Sequence, residues 1–280
     1  MKHILVPVDF SDNSWTGLVY AVKLYKHELC TFYLLHTEVL DPEILASLNE
    51  VYIENVLKLG NDQLKLFKEQ IETSDHNANH EFKTIIKFQP LTLAVKEAVK
   101  EFSIDLVVMC TKGTKDNLTT FFSTNSVNVV HKRLSCPVLI IPDNYDYKPI
   151  QQIAFSTDLN RFYTTKELTI INDVAYDNNA ALRVMHIETG SSLTNIQEYN
   201  LSVLKKSLQG FETHYHSVPS FDKKAEVINT FIKDLSIGLL VMVNYKHSIF
   251  EKIINEPVIK KIGFNPQIPF LVIPNHNSDN

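Results

Sequence analysis

An internal repeat is the feature that most restricts how this chain can fold. The segment SIDLVVM at Ser103–Met109 returns as SIGLLVM at Ser236–Met242. The segment CPVLIIP at Cys136–Pro142 returns as IPFLVIP at Ile268–Pro274. Self-similarity of this kind is typical of duplicated structural units. We therefore expect two homologous halves, each with a hydrophobic core of its own.

The starts of the two halves match as well. VPVD at Val6–Asp9 corresponds to FSTD at Phe155–Asp158, and LLH at Leu34–His36 corresponds to VMH at Val184–His186. The two copies of each early segment are separated by more residues than the two copies of each later segment. We therefore expect the second half to be shorter in its middle.

The length of the chain agrees with a division into two. At roughly 150 residues per domain, 280 residues predict two domains. The polar segment DNYDYKP at 143–149 is the natural joint. The sequence thus predicts one domain over residues 1–144 and a second over residues 149–280.

Within each half, short apolar runs alternate with helical patterns. Runs such as Ile4–Val6 and Phe32–Leu35 are typical of buried parallel strands. A long helical stretch is expected from residue 41 to about 74, either unbroken or interrupted at Gly60, and Ser11 or Asp12 is expected to cap the first helix. The alternation predicts an α/β fold with two doubly wound domains, each built on a five-stranded parallel sheet.

Composition excludes several classes of protein. The net charge of −5 argues against nucleic acid or an anionic membrane as partner. The 7 glycines are never paired as dinucleotide-binding or P-loop motifs require. No signal peptide is recognised and no apolar run reaches the ~20 residues that span a bilayer, so a cytoplasmic location is expected.

Metal and cysteine chemistry find little support in the sequence. Cys30, Cys110 and Cys136 form no C-x-x-C pair, so reduced thiols are expected. His214 and His216 alternate on one face of a strand, but no third ligand is evident from spacing. We therefore predict no metal site.

Candidate site residues follow the ends of predicted strands. In doubly wound sheets, ligands bind beyond the carboxyl ends of strands where the winding reverses. Pro7–Asp9, His36–Thr37 and Met109–Gly113 follow three such strands. Ser123–Asn125 precedes a helical segment at 126–133, where free backbone N–H groups favour an anion.

These segments resemble the universal stress protein family, and the whole chain resembles a tandem member. ILVPVDFS at the start is similar to the family's first strand and turn, and CPVLI at 136–140 to its last strand. The resemblance implies an adenine nucleotide α-hydrolase-like fold with strand order 3-2-1-4-5. It also implies pairing of two domains through their last strands, here within one chain. Whether two chains pair as a homodimer is left open.

The resemblance also implies an ATP site in the first domain. ATP-binding members carry G-x-x-G-x9-G-[ST], and the matching positions here are Cys110, Gly113, Ser123 and Thr124. By this match Asp9 would bind the ribose, Val8 and Thr37 would lie at the adenine, and the remaining residues would surround the phosphates. The implied site comprises Pro7, Val8, Asp9, Thr37, Met109, Cys110, Gly113, Ser123, Thr124 and Asn125. Whether Mg²⁺ accompanies ATP is left open.

Each of these residues also has a structural explanation. Capping of a turn would by itself explain Asp9, and capping of a helix would by itself explain Ser123–Thr124. Cys110 departs from the family glycine, so its side chain would crowd the α-phosphate, and an alternative role is that of a reactive thiolate. Lys112 and Lys115 favour an anion or are ordinary loop charges.

The second half departs further from the family motif. Its counterparts of the glycines are Val243, Lys246 and Glu256, followed by Pro257. A carboxylate beside phosphate is repulsive, and proline lacks the N–H that a phosphate would accept from. Asp158 persists, but we predict that only the first half binds ATP.

Three functions remain after these exclusions. The leading one is a cytoplasmic stress-response regulator that binds ATP or another adenine nucleotide in its first domain. The alternative is a nucleotide-free module that binds a protein partner and whose site has decayed. A slow ATPase comes third because no general base is evident, Asp116 being a candidate only by its position in the loop.

Overall fold

The structure is a computed structural model, and its residues fall into two compact units. It describes residues 1–39, 50–111, 129, 134–188, 192–219, 224–245, 248, 250 and 267–276. The N-terminal unit extends to Tyr147, and the C-terminal unit begins at Lys148. The unit boundary therefore lies within the polar segment 143–149.

The N-terminal unit alternates strands and helices along the chain. Its elements are β1 (Lys2–Pro7), α1 (Asp12–Leu24), β2 (Cys30–Thr37), α2 (Glu50–Ser74), β3 (His80–Lys87), α3 (Leu91–Glu101), β4 (Leu106–Cys110) and β5 (Val138–Ile141). The strands form a sheet in the order β3-β2-β1-β4-β5. All four neighbouring pairs are parallel.

The C-terminal unit has the same architecture. Its elements are β6 (Gln152–Thr157), α4 (Thr165–Asn178), β7 (Ala181–Glu188), α5 (Asn195–Ser207), β8 (Thr213–Pro219), α6 (Lys224–Asp234), β9 (Leu239–Asn244) and β10 (Phe270–Pro274). The strand order is β8-β7-β6-β9-β10, again with parallel neighbours. The predicted fold class, with two doubly wound five-stranded sheets, is confirmed.

Burial explains why the sequence selects parallel sheets. Residues such as Ile4, Leu34 and Val107 in the N-terminal unit are completely buried, as are Ile153 and Leu240 in the C-terminal unit. Continuous apolar runs suit strands that are covered on both faces, as parallel strands are. Among the described residues, no helix is long and apolar enough to cross a membrane.

The two units share fine details of geometry as well as strand order. After β1 and β6, the residues Phe10 and Leu159 both take left-handed backbone angles, with φ of 61° and 57°. The Nδ1 of His36 lies 3.0 Å from the carbonyl oxygen of Val8, and the Nδ1 of His186 lies 3.2 Å from that of Thr157. The sequence repeat thus corresponds to a repeat of the turn that follows the first strand.

Helix α2 is unbroken at Gly60. The sequence left an interruption there open, and the helix runs through this position. A Cβ on Gly60 would lie 2.6 Å from Cδ1 of Ile86 on β3 and 3.8 Å from Cδ2 of His36. The glycine therefore serves a close approach of the helix to the sheet.

This close approach predicts opposite effects of one substitution in two backgrounds. Gly60→Ala alone should destabilise the protein, because overpacking against Ile86 costs about 1–3 kcal/mol. In Ile86→Val, which lacks the crowded methyl group, the same change should stabilise by about 0.5–1 kcal/mol through helix propensity. Urea unfolding of the four proteins measures the difference. Equal effects in both backgrounds would contradict the packing explanation.

Candidate functional site

A cavity lies at the carboxyl ends of β1, β2 and β4 in the N-terminal unit. Its volume is about 330 Å³, near the lower end of the roughly 300–1,000 Å³ typical of small-molecule pockets. The lining residues are Pro7, Val8, Asp9, Ser11, Asn13, Ser14, His36, Thr37, Val39, Pro90, Leu91, Met109, Cys110 and Thr111. The topology thus places the cavity where the winding of the sheet reverses.

Six of the ten predicted site residues line this one cavity. They are Pro7, Val8, Asp9, Thr37, Met109 and Cys110. The remaining four, Gly113, Ser123, Thr124 and Asn125, lie outside the described residues, as do Lys112, Lys115 and Asp116. The described residues therefore include those that the resemblance assigns to the base and the ribose.

Asp9 caps the turn into α1 and also faces the cavity. Its Oδ1 accepts a hydrogen bond from the backbone N–H of Ser11 at 3.2 Å and a second from the Ser11 hydroxyl. Ser11 is in turn the N-cap of α1, with its side chain accepting from the N–H of Ser14. Asp9 therefore places a carboxylate in the cavity lining while it caps the turn.

His36 lines the cavity and belongs to the candidate segment His36–Thr37, but it is not one of the ten predicted site residues. Its ring packs against Phe10, with centroids 4.5 Å apart, and only 7 % of the residue is exposed. Its two nitrogens both face acceptors, the Val8 carbonyl at 3.0 Å and Glu38 Oε1 at 3.1 Å. These two contacts hold the ring in place between the turn after β1 and the residue that follows β2.

The Cys110 side chain packs against helix α1. A Cβ on Gly17 would lie 2.9 Å from the Cys110 sulfur, so the glycine on α1 makes room for it. Burial, helped by the nearby carboxylates of Asp143 and Asp9, raises the pKa of the Cys110 thiol to about 12. A raised pKa is the opposite of what a reactive thiolate requires. The sulfur is accommodated by the helix as well as by the cavity wall.

Thr111 also lines the cavity and belongs to the candidate segment Met109–Gly113, but it is not one of the ten predicted site residues. It directly follows β4, and its carbonyl oxygen accepts from the Asn13 side-chain amide at 3.3 Å. Its hydroxyl accepts from the backbone N–H of Asp143 at 3.0 Å. Position after a strand end was the available signal, but the partners on α1 and beyond β5 are distant in sequence. Thr111 therefore joins three parts of the unit at the cavity.

The equivalent position in the C-terminal unit is filled by the chain itself. Asp158 matches Asp9, and its Oδ1 accepts from the backbone N–H of Asn160 at 3.1 Å. The hydroxyl of Tyr245, which directly follows β9, donates to the same oxygen. Asp158 is only 8 % exposed, whereas Asp9 is exposed. The Asp158 Oδ2 is buried without a hydrogen-bond partner among the described residues.

Arg161 and two tyrosines complete this filling. The guanidinium lies over the rings of Tyr163 and Tyr245, 4.8 and 4.6 Å from their centroids. It also forms a double hydrogen bond with Glu167, at 2.7 and 3.1 Å. Burial raises the pKa of both tyrosine hydroxyls well above the usual range. These side chains form a packed polar network where a ligand would enter.

The family counterparts in this unit are only partly described. Val243 is a buried residue of β9, and Lys246, Glu256 and Pro257 lie outside the described residues. The filling by Tyr245 and Arg161 is a separate obstacle to a ligand. Neither residue belongs to the family motif, so matching the sequence to that motif could not reveal their contacts near Asp158.

His214 and His216, which both lie on β8, contact different residues. His214 lies 3.0 Å from Glu212, and His216 packs edge-on against Phe231. Within the described part of the chain, no group of three or more His, Cys, Asp or Glu side chains is placed to hold a metal ion. All three cysteines are free.

Comparison with known families identifies the N-terminal half directly. The model of the universal stress protein family matches residues 1–142. The chain belongs to the universal stress protein family. Residues beyond 142 lie outside that match. Comparison with curated protein sequences finds no match.

Solved structures show the universal stress protein fold over nearly the whole chain. A universal stress protein from Archaeoglobus fulgidus is 15% identical, with 99% of this chain and 97% of that chain covered and a TM-score of 0.72. A candidate universal stress protein from Pseudomonas aeruginosa is 13% identical, with 98% and 93% covered and a TM-score of 0.59. The cytoplasmic domain of a prokaryotic cation chloride cotransporter is 12% identical, with 97% and 94% covered and a TM-score of 0.53. At these identities the likeness concerns the fold.

The contact between Tyr245 and Asp158 predicts a stability effect. Tyr245→Phe removes the donor and leaves a buried carboxylate with one fewer hydrogen bond, which should cost about 1–3 kcal/mol. Tyr176→Phe is the matched control because Tyr176 is 81 % exposed. Thermal or urea unfolding provides the measurement. Equal stability of the two variants would show that the phenol contributes nothing at Asp158.

The Glu167–Arg161 pair predicts a pH dependence. Burial raises the pKa of Glu167, but hydrogen bonds from Arg161, Thr164 and His276 outweigh it and leave the pKa below its usual value. The folded state thus binds this proton less readily than the unfolded chain. Stability from this group is present above about pH 4.3 and is lost as pH falls further.

Glu167→Gln tests this pH dependence. At pH 7 the variant leaves Arg161 without its buried partner and should lose about 3–5 kcal/mol. The gap between wild type and variant should narrow as pH falls from 5 to 3, as followed by urea unfolding. A gap that stays constant over this range would rule out the assigned role of the carboxylate.

Proposed function

We propose that this member of the universal stress protein family is a cytoplasmic stress-response regulator that binds an adenine nucleotide, such as ATP, in its N-terminal unit only. The observation that carries the proposal is the contrast between an open cavity at Asp9 and a filled position at Asp158. The output is regulation through the bound or free state rather than turnover of substrate.

The chemistry of the cavity supports a nucleoside. Asp9 offers carboxylate acceptors for a ribose diol, and Val8 and Thr37 border the same space with apolar and backbone groups suited to a base. Cys110, the most serious departure from the family motif, is accommodated against Gly17. The phosphates would be bound by the segment that contains Gly113, Ser123 and the two lysines. This segment lies outside the described residues.

The C-terminal unit is proposed to be a second universal stress protein domain with a site that no longer takes a ligand. Its strand order and its left-handed turn after the first strand repeat those of the N-terminal unit. Tyr245 and Arg161 occupy the position that corresponds to the cavity. One nucleotide per chain is the expected stoichiometry.

A nucleotide-free interaction module is the second candidate, and exposed apolar residues favour it. Ile196 and Tyr199 stand one helical turn apart on α5 and are 67 and 66 % exposed, and Phe162 is 52 % exposed. The same helix is attached to the loop after β6 through Asn200, which donates to the Leu159 carbonyl at 2.8 Å. A protein partner would be the ligand of such a surface.

ATP hydrolysis ranks below binding. The carboxylate that the described cavity wall offers is Asp9, and Ser11 engages it at the start of α1. A general base needs an oxygen within hydrogen-bond reach of the attacking water in a productive pose. Asp116, the other carboxylate considered, lies outside the described residues.

Titration with ATP tests the proposal. Trp15, the single tryptophan of the chain, lies on α1 next to the cavity residue Ser14 and packs edge-on against Phe67 at 5.2 Å. Its fluorescence should therefore report ligand binding, and calorimetry should give about one nucleotide per chain. Asp9→Ala should weaken binding by about 10- to 150-fold, because a charge-assisted hydrogen bond contributes about 1.5–3 kcal/mol.

A matched control separates this effect from a general one. Asp177→Ala changes an exposed aspartate of α4 in the other unit and should leave the affinity unchanged. Two nucleotides per chain would contradict the asymmetry between the units. No binding by wild type, together with no nucleotide released on denaturation, would favour the interaction module.

A further inference from the structure

The segment that connects the two units is attached to the cavity at its start. This connecting segment, residues 143–149, begins with a turn in which Asn144 has φ of 52°. The Asp143 N–H donates to the Thr111 hydroxyl at 3.0 Å. Thr111 lines the cavity, is 5 % exposed and accepts from Asn13 on α1. One buried residue therefore holds both the connecting segment and the first turn of α1.

The connecting segment makes a second attachment farther along α1. Tyr145 and Tyr147 alternate in a stretch without helix, so both can face one side, and their rings lie 6.0 and 5.3 Å from that of Tyr20. Tyr20 is 1 % exposed. Burial, with contributions from both neighbouring tyrosines, raises its pKa well above the usual range. The segment thus packs over the middle of the helix.

One contribution to the free energy opposes this packing. The Tyr20 hydroxyl is buried without a hydrogen-bond partner among the described residues. A buried hydroxyl without a partner costs free energy, whereas release of the segment would return it to water. The docked arrangement is therefore favoured by ring packing and the Thr111 bond but opposed by the hydroxyl. Such a balance suits an element that moves between two states.

Helix α1 connects this packing to the ligand. Ser11, Asn13 and Ser14 at its start line the cavity, and Tyr20 lies two turns later on the same helix. Gly17, between them, packs directly against Cys110 at the end of β4. A ligand that orders the start of α1 and Thr111 orders the residues on which the connecting segment rests.

We propose that residues 143–149 act as a latch that docks on Tyr20 and Thr111 when the cavity is occupied and is released more readily when it is empty. This inference rests on the proposed binding of an adenine nucleotide in the cavity. The two states are the docked and undocked segment. Because coupling between two sites is reciprocal, a nucleotide that favours docking must itself bind more weakly when docking is impaired.

Chymotryptic cleavage after Tyr145 in the full-length protein measures the undocked state. Tyr145 is half-buried in the docked segment, so cleavage should be faster when the tyrosine leaves its packing, and mass spectrometry identifies the product. Saturating ATP should slow this cleavage several-fold in wild type. Tyr147→Ala should speed it several-fold and should weaken ATP binding, although the residue does not line the cavity.

Tyr20→Phe gives an independent test with the opposite sign. It removes the unpartnered hydroxyl and keeps the ring, so cleavage after Tyr145 should slow and ATP should bind more tightly, each by several-fold. This variant preserves the core, so it remains informative if Tyr147→Ala does not fold. Tyr176→Ala, at an exposed tyrosine of α4, is the matched control and should change neither cleavage nor affinity.

The outcomes separate the latch from the proposed function. If ATP binds but cleavage after Tyr145 is unchanged by ATP, and Tyr20→Phe alters neither quantity, the latch is overturned and the binding function stands. If wild type binds no ATP, the binding function and its latch fail together. Faster cleavage in Tyr20→Phe would also overturn the latch, because it would mean that the hydroxyl favours docking.

Discussion

The central place of β1 in its sheet is the constraint on which the candidate site depends. β1 pairs with β2 on one side and with β4 on the other, with Ile4 opposite both Phe32 and Leu106. The chain therefore leaves β1 in one direction for β2 and returns to its other side for β4. Connections that diverge in this way leave a crevice at the carboxyl ends of the strands. The turn at Asp9 and the residues after β4 meet there because of the register.

The same topology creates an equivalent crevice in the C-terminal unit. β6 lies between β7 and β9, so Asp158 stands where Asp9 stands in the other unit. A buried carboxylate requires hydrogen-bond donors from a ligand, from water or from the protein. Tyr245 supplies one from within the chain, and Arg161 covers the tyrosine ring. The difference between the units is thus one of side chains on a shared backbone plan.

The sequence predicts the fold well because buried parallel strands leave a local signature. Apolar runs, the repeat and the cap at Ser11 depend on neighbours along the chain. The features that the sequence left open depend on residues far apart along the chain: Gly60 is explained by Ile86, and Cys110 by Gly17. Tyr245 meets Asp158 across 87 residues, in a unit where the family motif directs attention elsewhere. Six predicted site residues lie at strand ends, where sequence order and topology coincide. Thr111 and His36 lie in the same candidate segments, but their contacts with residues distant along the chain could not be derived from the sequence.

The contrast between the units implies that they respond to different conditions. A ligand that binds only the folded N-terminal unit stabilises it increasingly as ligand concentration rises above the dissociation constant. In the C-terminal unit, the Glu167–Arg161 pair contributes a stability that depends on acidity. If the N-terminal unit binds a nucleotide as proposed, its stability depends on the supply of that ligand to the cavity at Asp9. Tyr245 engages the corresponding carboxylate of Asp158, so under the same proposal a change of nucleotide level acts on the N-terminal unit alone.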